Sequence, residues 1–274
     1  MANEKIKNLV VGVDFSDYSK AVVNEARELS QKLKCPLTYV YSFQMSANES
    51  DSKDTRKKFA THFEAEVRNW YGLKKTESIF ICFGRAYKEI IEFAKTLQNP
   101  MIIAGHRGSH SFARFFVGST AERLAWFSPF PVWIHRGQKV ILPRKILIPS
   151  DLGSKSNRSV LKISSFNKIF KSSLEVYHVF EQPLPVVNFP DYANMYDDIK
   201  KEDDENLKVF RKNHPRLKVI SETGAIVDKT NDHAKKFDVI AVSPSRRKKS
   251  DSYFGGVTAK LIRSSDRPIL VIPV

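Results

Sequence analysis

The chain has 274 residues, 42% of them hydrophobic and 27% charged, and its formal net charge is +15. This length exceeds one typical domain, and the composition is that of folded globular proteins, which excludes a disordered chain. No apolar run approaches the roughly 20 residues that span a bilayer, so we expect no membrane-spanning segment. The positive charge favours anionic partners but is scattered along the chain, and it gives only weak support for nucleic-acid binding.

The chain is expected to lie in the cytoplasm. Its first apolar run, Leu9–Val13, is short and is followed by Asp14, which is typical of a buried strand and not of a signal peptide. The two cysteines, Cys35 and Cys82, show neither a metal-ligand spacing nor a CxxC motif. Two small buried thiols in a reducing compartment fit this pattern best.

Short apolar runs alternate with helical stretches along the first half. The predicted strands are Leu9–Val13, Leu37–Tyr41, Ile79–Phe83, Met101–Ala104 and Val132–Ile134. Between the first two strands, Val22, Ala26 and Leu29 recur at helical spacing, and Phe59, Phe63, Val67 and Trp70 form a second apolar stripe. Strands that are apolar on both faces and alternate with helices predict a parallel sheet covered by helices on both sides.

The second half repeats this order. Its predicted strands are Ile146–Ser150, Leu174–Val179, Val219–Glu222, Val239–Val242 and Ile269–Val274. The matching blocks are Lys7–Ser16 with Arg144–Gly153, Gly118–Ala121 with Gly256–Ala259, and Ser128–Ile134 with Ser265–Val271, each at an offset of 137 or 138 residues. A nearly constant offset over ordered blocks indicates a duplication. We therefore predict an α/β fold with two tandem open-twisted parallel five-stranded sheets, in domains 1–138 and 143–274.

A glycine-rich segment follows the fourth predicted strand of the first half. Met101–Ala104 leads into Gly105-His106-Arg107-Gly108, and Gly118-Ser119-Thr120 precedes the next predicted helix. Glycines let main-chain N–H groups approach an anion closely, and a helix N-terminus adds free N–H groups and partial positive charge. Ligands of parallel sheets bind at the carboxyl ends of the strands. The segment is therefore suited to a polyphosphate.

The spacing G-x2-G-x9-G-[ST], together with Asp14 in Val-Asp-Phe-Ser, resembles the nucleotide loop of the universal stress protein family. The resemblance covers both halves and is similar to the tandem-domain form of that family. It implies a Rossmann-like fold of the adenine nucleotide alpha hydrolase type and a cytoplasmic stress-response or regulatory protein that binds ATP, with or without Mg²⁺.

The same resemblance assigns residues to the nucleotide. Asp14 and the backbone around Val13 and Val40 would hold adenine and ribose. Ala104 and Gly105 would flank the ribose and first phosphate, and Gly108, Gly118, Ser119 and Thr120 would cradle the phosphates. The residues alone leave simpler roles open, in which the glycines make turns, Ser119 caps a helix and Asp14 caps the helix that begins near Ser16.

The second copy departs from this pattern. Ser243, Arg246 and Val257 replace Gly105, Gly108 and Ser119, whereas Asp151, Gly256 and Thr258 are retained. Pro244 removes one backbone donor, and Arg246 would place a long side chain where the first loop admits phosphate. We expect one ATP site, in the first half, although the Arg246 guanidinium could contact an anion in another manner.

No catalytic group is evident, and the sequence leaves a metal site undetermined. No Walker lysine follows the glycines, and we expect His106 and His110 to be solvated loop histidines without a carboxylate to activate water. A slow ATPase and a nucleotide-independent interaction scaffold are therefore the alternatives. The resemblance also implies an internal pseudo-dimer, paired through Val132–Ile134 and Ile269–Val274, and leaves a further homodimer open.

Overall fold

The computed structural model describes residues 5–45, 52–106, 119–137, 142–182, 192–244 and 256–273. Within these ranges, no helix has both the length and the apolar character needed to cross a membrane. The chain divides into two compact units, and the first comprises Met1–Leu142 together with Pro268–Pro273, whereas the second comprises Pro143–Arg267.

The elements of the first half alternate strictly between strand and helix. They are β1 (Asn8–Val13), α1 (Asp17–Leu33), β2 (Leu37–Phe43), α2 (Lys53–Tyr71), β3 (Ser78–Phe83), α3 (Ala86–Lys95), β4 (Pro100–Gly105), α4 (Ser119–Phe127) and β5 (Val132–His135). Buried aliphatic residues dominate β1 and β4, which lie side by side at the centre of the sheet. Ser16 and Ser52 cap α1 and α2, and both helices end in a left-handed residue, Lys34 and Gly72.

The second half repeats this alternation. Its elements are β6 (Lys145–Pro149), α5 (Ser154–Phe166), β7 (Ser173–Phe180), α6 (Tyr192–Asn213), β8 (Lys218–Thr223), α7 (Ile226–Ala234), β9 (Val239–Val242), α8 (Val257–Ser264) and β10 (Ile269–Val271). The predicted class, α/β with Rossmann-like parallel sheets, is confirmed. The last strand is shorter than the predicted Ile269–Val274.

In the first unit the strand order is β3-β2-β1-β4-β5, all parallel, and β10 pairs antiparallel with β5. In the second unit the order is β9-β6-β7-β8, again all parallel. The last strand therefore joins the unit that begins the chain, although the sequence pattern placed it with the second domain.

Helices cover both faces of the sheet in the first unit. A Cβ added at Gly12 of β1 would lie 2.8 Å from Ile90 of α3, whereas one added at Gly105 of β4 would lie 3.0 Å from Tyr18 and 3.1 Å from Val22 of α1. The strand register sets these two glycines on opposite faces. Helices α1 and α3 therefore lie on opposite faces of the sheet. Each packs closely against a glycine of a strand, α3 against Gly12 and α1 against Gly105.

The two units share a turn at the end of their third strand. The N–H of Gly84 donates to the Phe43 carbonyl over 2.9 Å, and the N–H of Gly224 donates to the Phe180 carbonyl over 3.0 Å. The φ angles of Gly84 and Gly224 are +146° and +147°, a backbone conformation that residues with a side chain rarely adopt. The two equivalent bonds show that Phe43 of the first unit corresponds to Phe180 of the second. The residues beside them therefore correspond as well.

Candidate functional site

The carboxyl ends of three neighbouring strands meet at one edge of the first unit. Val13 of β1 lies beside Tyr41 of β2, and the pairing of β1 with β4 extends towards Gly105. Val13, Val40 and Ala104 are 7%, 1% and 5% exposed, so mainly their backbone is available at this edge. The structure thus brings together Val13, Val40, Ala104 and Gly105 of the predicted site.

Asp14 closes a turn at the start of α1. Its Oδ1 accepts hydrogen bonds from the Ser16 N–H over 3.3 Å and from the Ser16 hydroxyl over 2.5 Å. Ser16 in turn caps α1 by accepting from the N–H of Ser19 over 3.2 Å. The capping group is therefore Ser16, and Asp14 supports it from two residues upstream.

The second unit has the same turn. Oδ1 of Asp151 accepts from the N–H of Gly153 over 3.0 Å. Gly153 is the N-cap of α5 and makes no side-chain capping bond. Since the turn recurs at both first strands, it accounts for an aspartate at this position in both halves. A nucleotide contact by Asp14 would come in addition to this role.

Aromatic rings form a wall beside Asp14. The Tyr41 ring lies 4.9 Å from that of Phe15 and 5.2 Å from that of Phe63 in α2. Further ring contacts join Phe43 to Phe59, Phe63 and Phe83, and Phe15 to Trp70. Burial, together with the negative charge of Asp14, raises the pKa of Tyr41. Phe59 and Phe63 of the predicted apolar stripe therefore pack onto β2 next to the predicted nucleoside position, whereas Trp70 contacts Phe15.

The end of β4 is tied to α1 and β5 by Tyr18 and His106. The Tyr18 hydroxyl lies 2.5 Å from His106 Nδ1 and 3.0 Å from the carbonyl oxygen of His135. The two rings of Tyr18 and His106 meet edge to face at 4.8 Å. His106 is only 6% exposed, so the expectation of a solvated loop histidine is wrong. His106 also makes a backbone bond to β5, since its N–H donates to the carbonyl oxygen of His135 over 3.3 Å.

A buried carboxylate lies behind this contact. Glu25 of α1 is fully buried and accepts from Trp133 Nε1 over 2.9 Å and from His135 Nδ1. The sequence analysis did not identify Glu25. The signal was available, because Glu25 lies between Val22 and Ala26 on the apolar face of the helix, where a charged residue needs partners.

Two further predicted residues begin α4. Ser119 and Thr120 are its first two residues, as expected for the start of the helix after the loop. Gly108, Gly118 and His110 lie outside the described residues. Among the residues that the structure describes, no group of three or more His, Cys, Asp or Glu side chains could hold a metal ion.

In the second unit a polar histidine–aspartate contact takes the place of two rings. His178 precedes Phe180 by two residues, as Tyr41 precedes Phe43. Its Nε2 lies 2.8 Å from Asp203 Oδ1 of α6 and its Nδ1 lies 2.9 Å from the Ser150 carbonyl. His178 therefore connects α6 to the residue that follows β6. The counterpart of the Tyr41–Phe63 contact is a polar contact between two side chains.

The loop of the second unit is described only at its ends. Ser243 and Pro244 follow β9, and Pro244 is buried. Gly256 has a φ of +152° and is followed by Val257 and Thr258 at the start of α8. Arg246 lies outside the described residues, so its expected place in the loop stays a prediction.

Comparison with known proteins gives a family for the first unit and a fold for the whole chain. A model described as "Universal stress protein family" matches residues 5–136. A putative universal stress protein from Pseudomonas aeruginosa UCBPP-PA14 is 14% identical, with a TM-score of 0.67 over 100% of this chain and 95% of its own. A universal stress protein from Archaeoglobus fulgidus DSM 4304 is 19% identical, with a TM-score of 0.65 over 100% and 99%. These two structures show that the fold extends over both halves. None of the curated proteins matches the chain significantly.

Proposed function

Since residues 5–136 belong to the universal stress protein family, we propose that this chain is a cytoplasmic, nucleotide-dependent stress-response protein that binds one ATP in its first unit. The proposal places adenine and ribose at Val13, Asp14 and Val40, and the phosphates at the loop from Gly105 to Thr120. Cys35 and Cys82 are both free and buried, which fits the proposed reducing compartment.

The convergence of three strand ends with a glycine loop carries this proposal. β1, β2 and β4 are neighbours in the sheet, and the loop connects the end of β4 to the first turn of α4. The Gly105, Gly108, Gly118 and Ser119 spacing of that loop supplies backbone N–H groups and a hydroxyl to an anion. A nucleoside over the strand ends and phosphates in the loop is the arrangement that parallel α/β sheets favour.

The second unit supports a stoichiometry of one. Three loop positions differ from the first unit, and Pro244 cannot donate a backbone hydrogen bond. The position of Tyr41 is taken by His178, whose ring is paired with Asp203. An imidazole hydrogen-bonded to a carboxylate offers a base a different surface from the aromatic wall of the first unit. We propose that the second unit is structural or binds a different ligand.

Pairing of the terminal strands is the second part of the proposal. Val132 and Ile134 of β5 face Val271 and Ile269 of β10 in antiparallel register. These are the last strands of the two repeats, so their pairing supports the proposed internal pseudo-dimer.

Native mass spectrometry of the purified chain, followed by titration with ATP, tests the stoichiometry. We expect one tightly bound ATP per chain. Variants that copy the second loop into the first, Gly108→Arg and Ser119→Val, should each lower ATP affinity at least tenfold. The reverse changes, Arg246→Gly and Val257→Ser, are matched controls that should leave the tight site unaltered. Two equal sites, or none, would contradict the proposal.

A further inference from the structure

Four polar side chains connect the proposed phosphate loop to the body of the first unit. They are Tyr18 and Glu25 of α1, His106 at the end of β4, and His135 at the end of β5. None of them belongs to the loop motif that the family resemblance provides. Glu25, His106 and His135 are 0%, 6% and 2% exposed. Because burying charged and polar groups is costly, this set needs an explanation beyond core packing.

The inner part of the set fixes His135. The Glu25 carboxylate accepts from His135 Nδ1 and, over 2.9 Å, from Trp133 Nε1. Two donors from one strand to one helical carboxylate hold the end of β5 against α1. The carbonyl oxygen of His135 is thereby set in a defined position.

The outer part of the set fixes His106. The His135 carbonyl lies 3.3 Å from the His106 amide nitrogen, 3.2 Å from His106 Nδ1 and 3.0 Å from the Tyr18 hydroxyl. The Tyr18 hydroxyl also lies 2.5 Å from His106 Nδ1. Backbone and side chain of His106 are therefore both held, one residue after Gly105 and two residues before Gly108.

The second sequence repeat lacks the whole set. At the offsets of the repeat, Lys155 stands for Tyr18, Lys162 for Glu25, Pro244 for His106 and Ile272 for His135. Lys162 is exposed, whereas its counterpart Glu25 is fully buried. The neighbouring apolar positions do match, since Val23 and Val160 are both 1% exposed. The polar set thus accompanies the intact loop and is missing beside the altered one.

We propose that the hydrogen bond between Tyr18 and His106, which we term the latch, holds the start of the phosphate loop in its binding geometry. Tyr18 is then a positioning residue that raises ATP affinity without contacting the nucleotide. This inference rests on the proposed function. When His106 is already held in place before ATP binds, less conformational entropy is lost on binding, and that is the physical gain.

Tyr18→Phe is the direct test, because it keeps the ring that packs against Gly105 and removes only the hydroxyl. We expect its Kd for ATP, measured by isothermal titration calorimetry, to be about five- to tenfold higher, as for the loss of one buried hydrogen bond. In the protein without nucleotide, hydrogen–deuterium exchange of the peptide covering residues 101–106 should become faster.

The matched control is Tyr39→Phe. Tyr39 also reaches α1 through its hydroxyl, which lies 2.9 Å from Arg27 Nε and 2.7 Å from Glu77 Oε1, and it does not contact the loop. This variant should lower stability without weakening ATP binding or speeding exchange at residues 101–106.

Rescue separates positioning from folding. His106→Leu should weaken ATP binding as Tyr18→Phe does, and the double variant should lose less affinity than the sum of the two single losses, because both changes remove the Tyr18–His106 bond. His106→Asn places an amide near the position of Nδ1 and should restore most of the affinity.

Each outcome decides one claim. Equal ATP affinity of Tyr18→Phe and the wild type would overturn the latch. If the wild type itself binds no ATP, the proposed function fails, and exchange decides the latch alone: unchanged exchange at residues 101–106 in Tyr18→Phe would overturn it.

Discussion

The two units place different chemistry at the same edge of the same fold. In the first, aromatic rings line the end of β2, and a buried Glu25–His135 pair holds the end of β5 against α1. In the second, the polar pair His178–Asp203 lies at the end of β7, and an exposed lysine occupies the position of Glu25. The backbone framework is shared, while the polar side chains on it differ. A duplicated fold can therefore keep its architecture and lose a binding site through a few polar exchanges.

The largest expected difference between the two units is at Glu25, which is fully buried, whereas its counterpart Lys162 is exposed. Glu25→Ala leaves His135 Nδ1 and Trp133 Nε1 without their acceptor in a buried setting, and we expect a loss of about 3–5 kcal/mol in the free energy of unfolding. All three tryptophans, Trp70, Trp126 and Trp133, lie in the first unit, so urea unfolding followed by tryptophan fluorescence reports on that unit.

Lys162→Ala is the control for Glu25→Ala, because it changes the equivalent but exposed position of the second unit. It should alter stability by less than about 0.5 kcal/mol. Similar losses in the two variants would contradict the assigned difference between the units.

Gly105 gives the second test. Gly105→Ser copies Ser243 of the second unit into the first and would bring a Cβ within 3.0 Å of Tyr18 and 3.1 Å of Val22. We expect a loss of about 1–3 kcal/mol from this overpacking, again measured by tryptophan fluorescence, together with weaker ATP binding. Ser243→Gly should leave the fluorescence transition of the first unit unchanged. An unaltered unfolding transition in Gly105→Ser would show that α1 moves to accommodate the added side chain without loss of stability.

The stability of the first unit should also depend on pH through Glu77, which pairs with Arg27 of α1. Burial alone would raise the pKa of Glu77, but hydrogen bonds from Tyr39, the Lys74 N–H and Arg27 together lower it below its ordinary value of 4.5. A lowered folded-state pKa means that this stabilisation is complete above pH 4.5 and is lost as the pH falls below it.

Glu77→Gln should therefore lower the free energy of unfolding by about 1 kcal/mol at neutral pH, and by progressively less as the pH falls below 4.5. Unfolding in urea at a series of pH values measures the difference. Glu64→Gln is the control, because the Glu64 side chain is 47% exposed and pairs with Arg68 within the same helix, so its loss should change little. A pH-independent cost for Glu77→Gln would be evidence against the lowered pKa.

The smallest expected effect concerns the shared turn. Asp14→Ala and Asp151→Ala each remove the acceptor at the start of a helix and should cost about 0.5–1 kcal/mol, measured by thermal melting. Asn at either position can keep the turn and should cost less. Only the change at Asp14 should also reduce ATP binding, and equal ATP binding by both variants would leave Asp14 with its turn role alone.

Local patterns in the sequence sufficed for the strands, whereas the grouping of Val13, Val40 and Gly105 was implied by the family resemblance. Strand ends of a parallel sheet share an edge only once the strand order is known, and local patterns do not give that order. The stripe of Phe59 and Phe63 was likewise correct, since helical spacing fixes which residues face the sheet. Trp70 of that stripe is nevertheless 40% exposed, and its ring contacts Phe15 beyond β1.

Long-range pairings were not accessible in this way. The burial of Glu25 and His106 depends on partners 110 and 88 residues away in the chain, and no periodicity encodes such a contact. Apolar spacing likewise gives β10 no partner, because its residues fit any sheet edge equally well. Its pairing with β5 was implied by the family resemblance alone, and the structure has that pairing.

The position of β10 has a consequence for how the protein is made. β5 ends at His135, and the strand that pairs with its outer edge begins at Ile269. A ribosome that adds 5–20 residues per second needs roughly 7–27 s to synthesise the intervening segment. For that time the five parallel strands of the first unit are in place but one edge of their sheet is unpaired, the kind of edge at which nascent chains associate wrongly. The unit that is synthesised first is therefore the last to close.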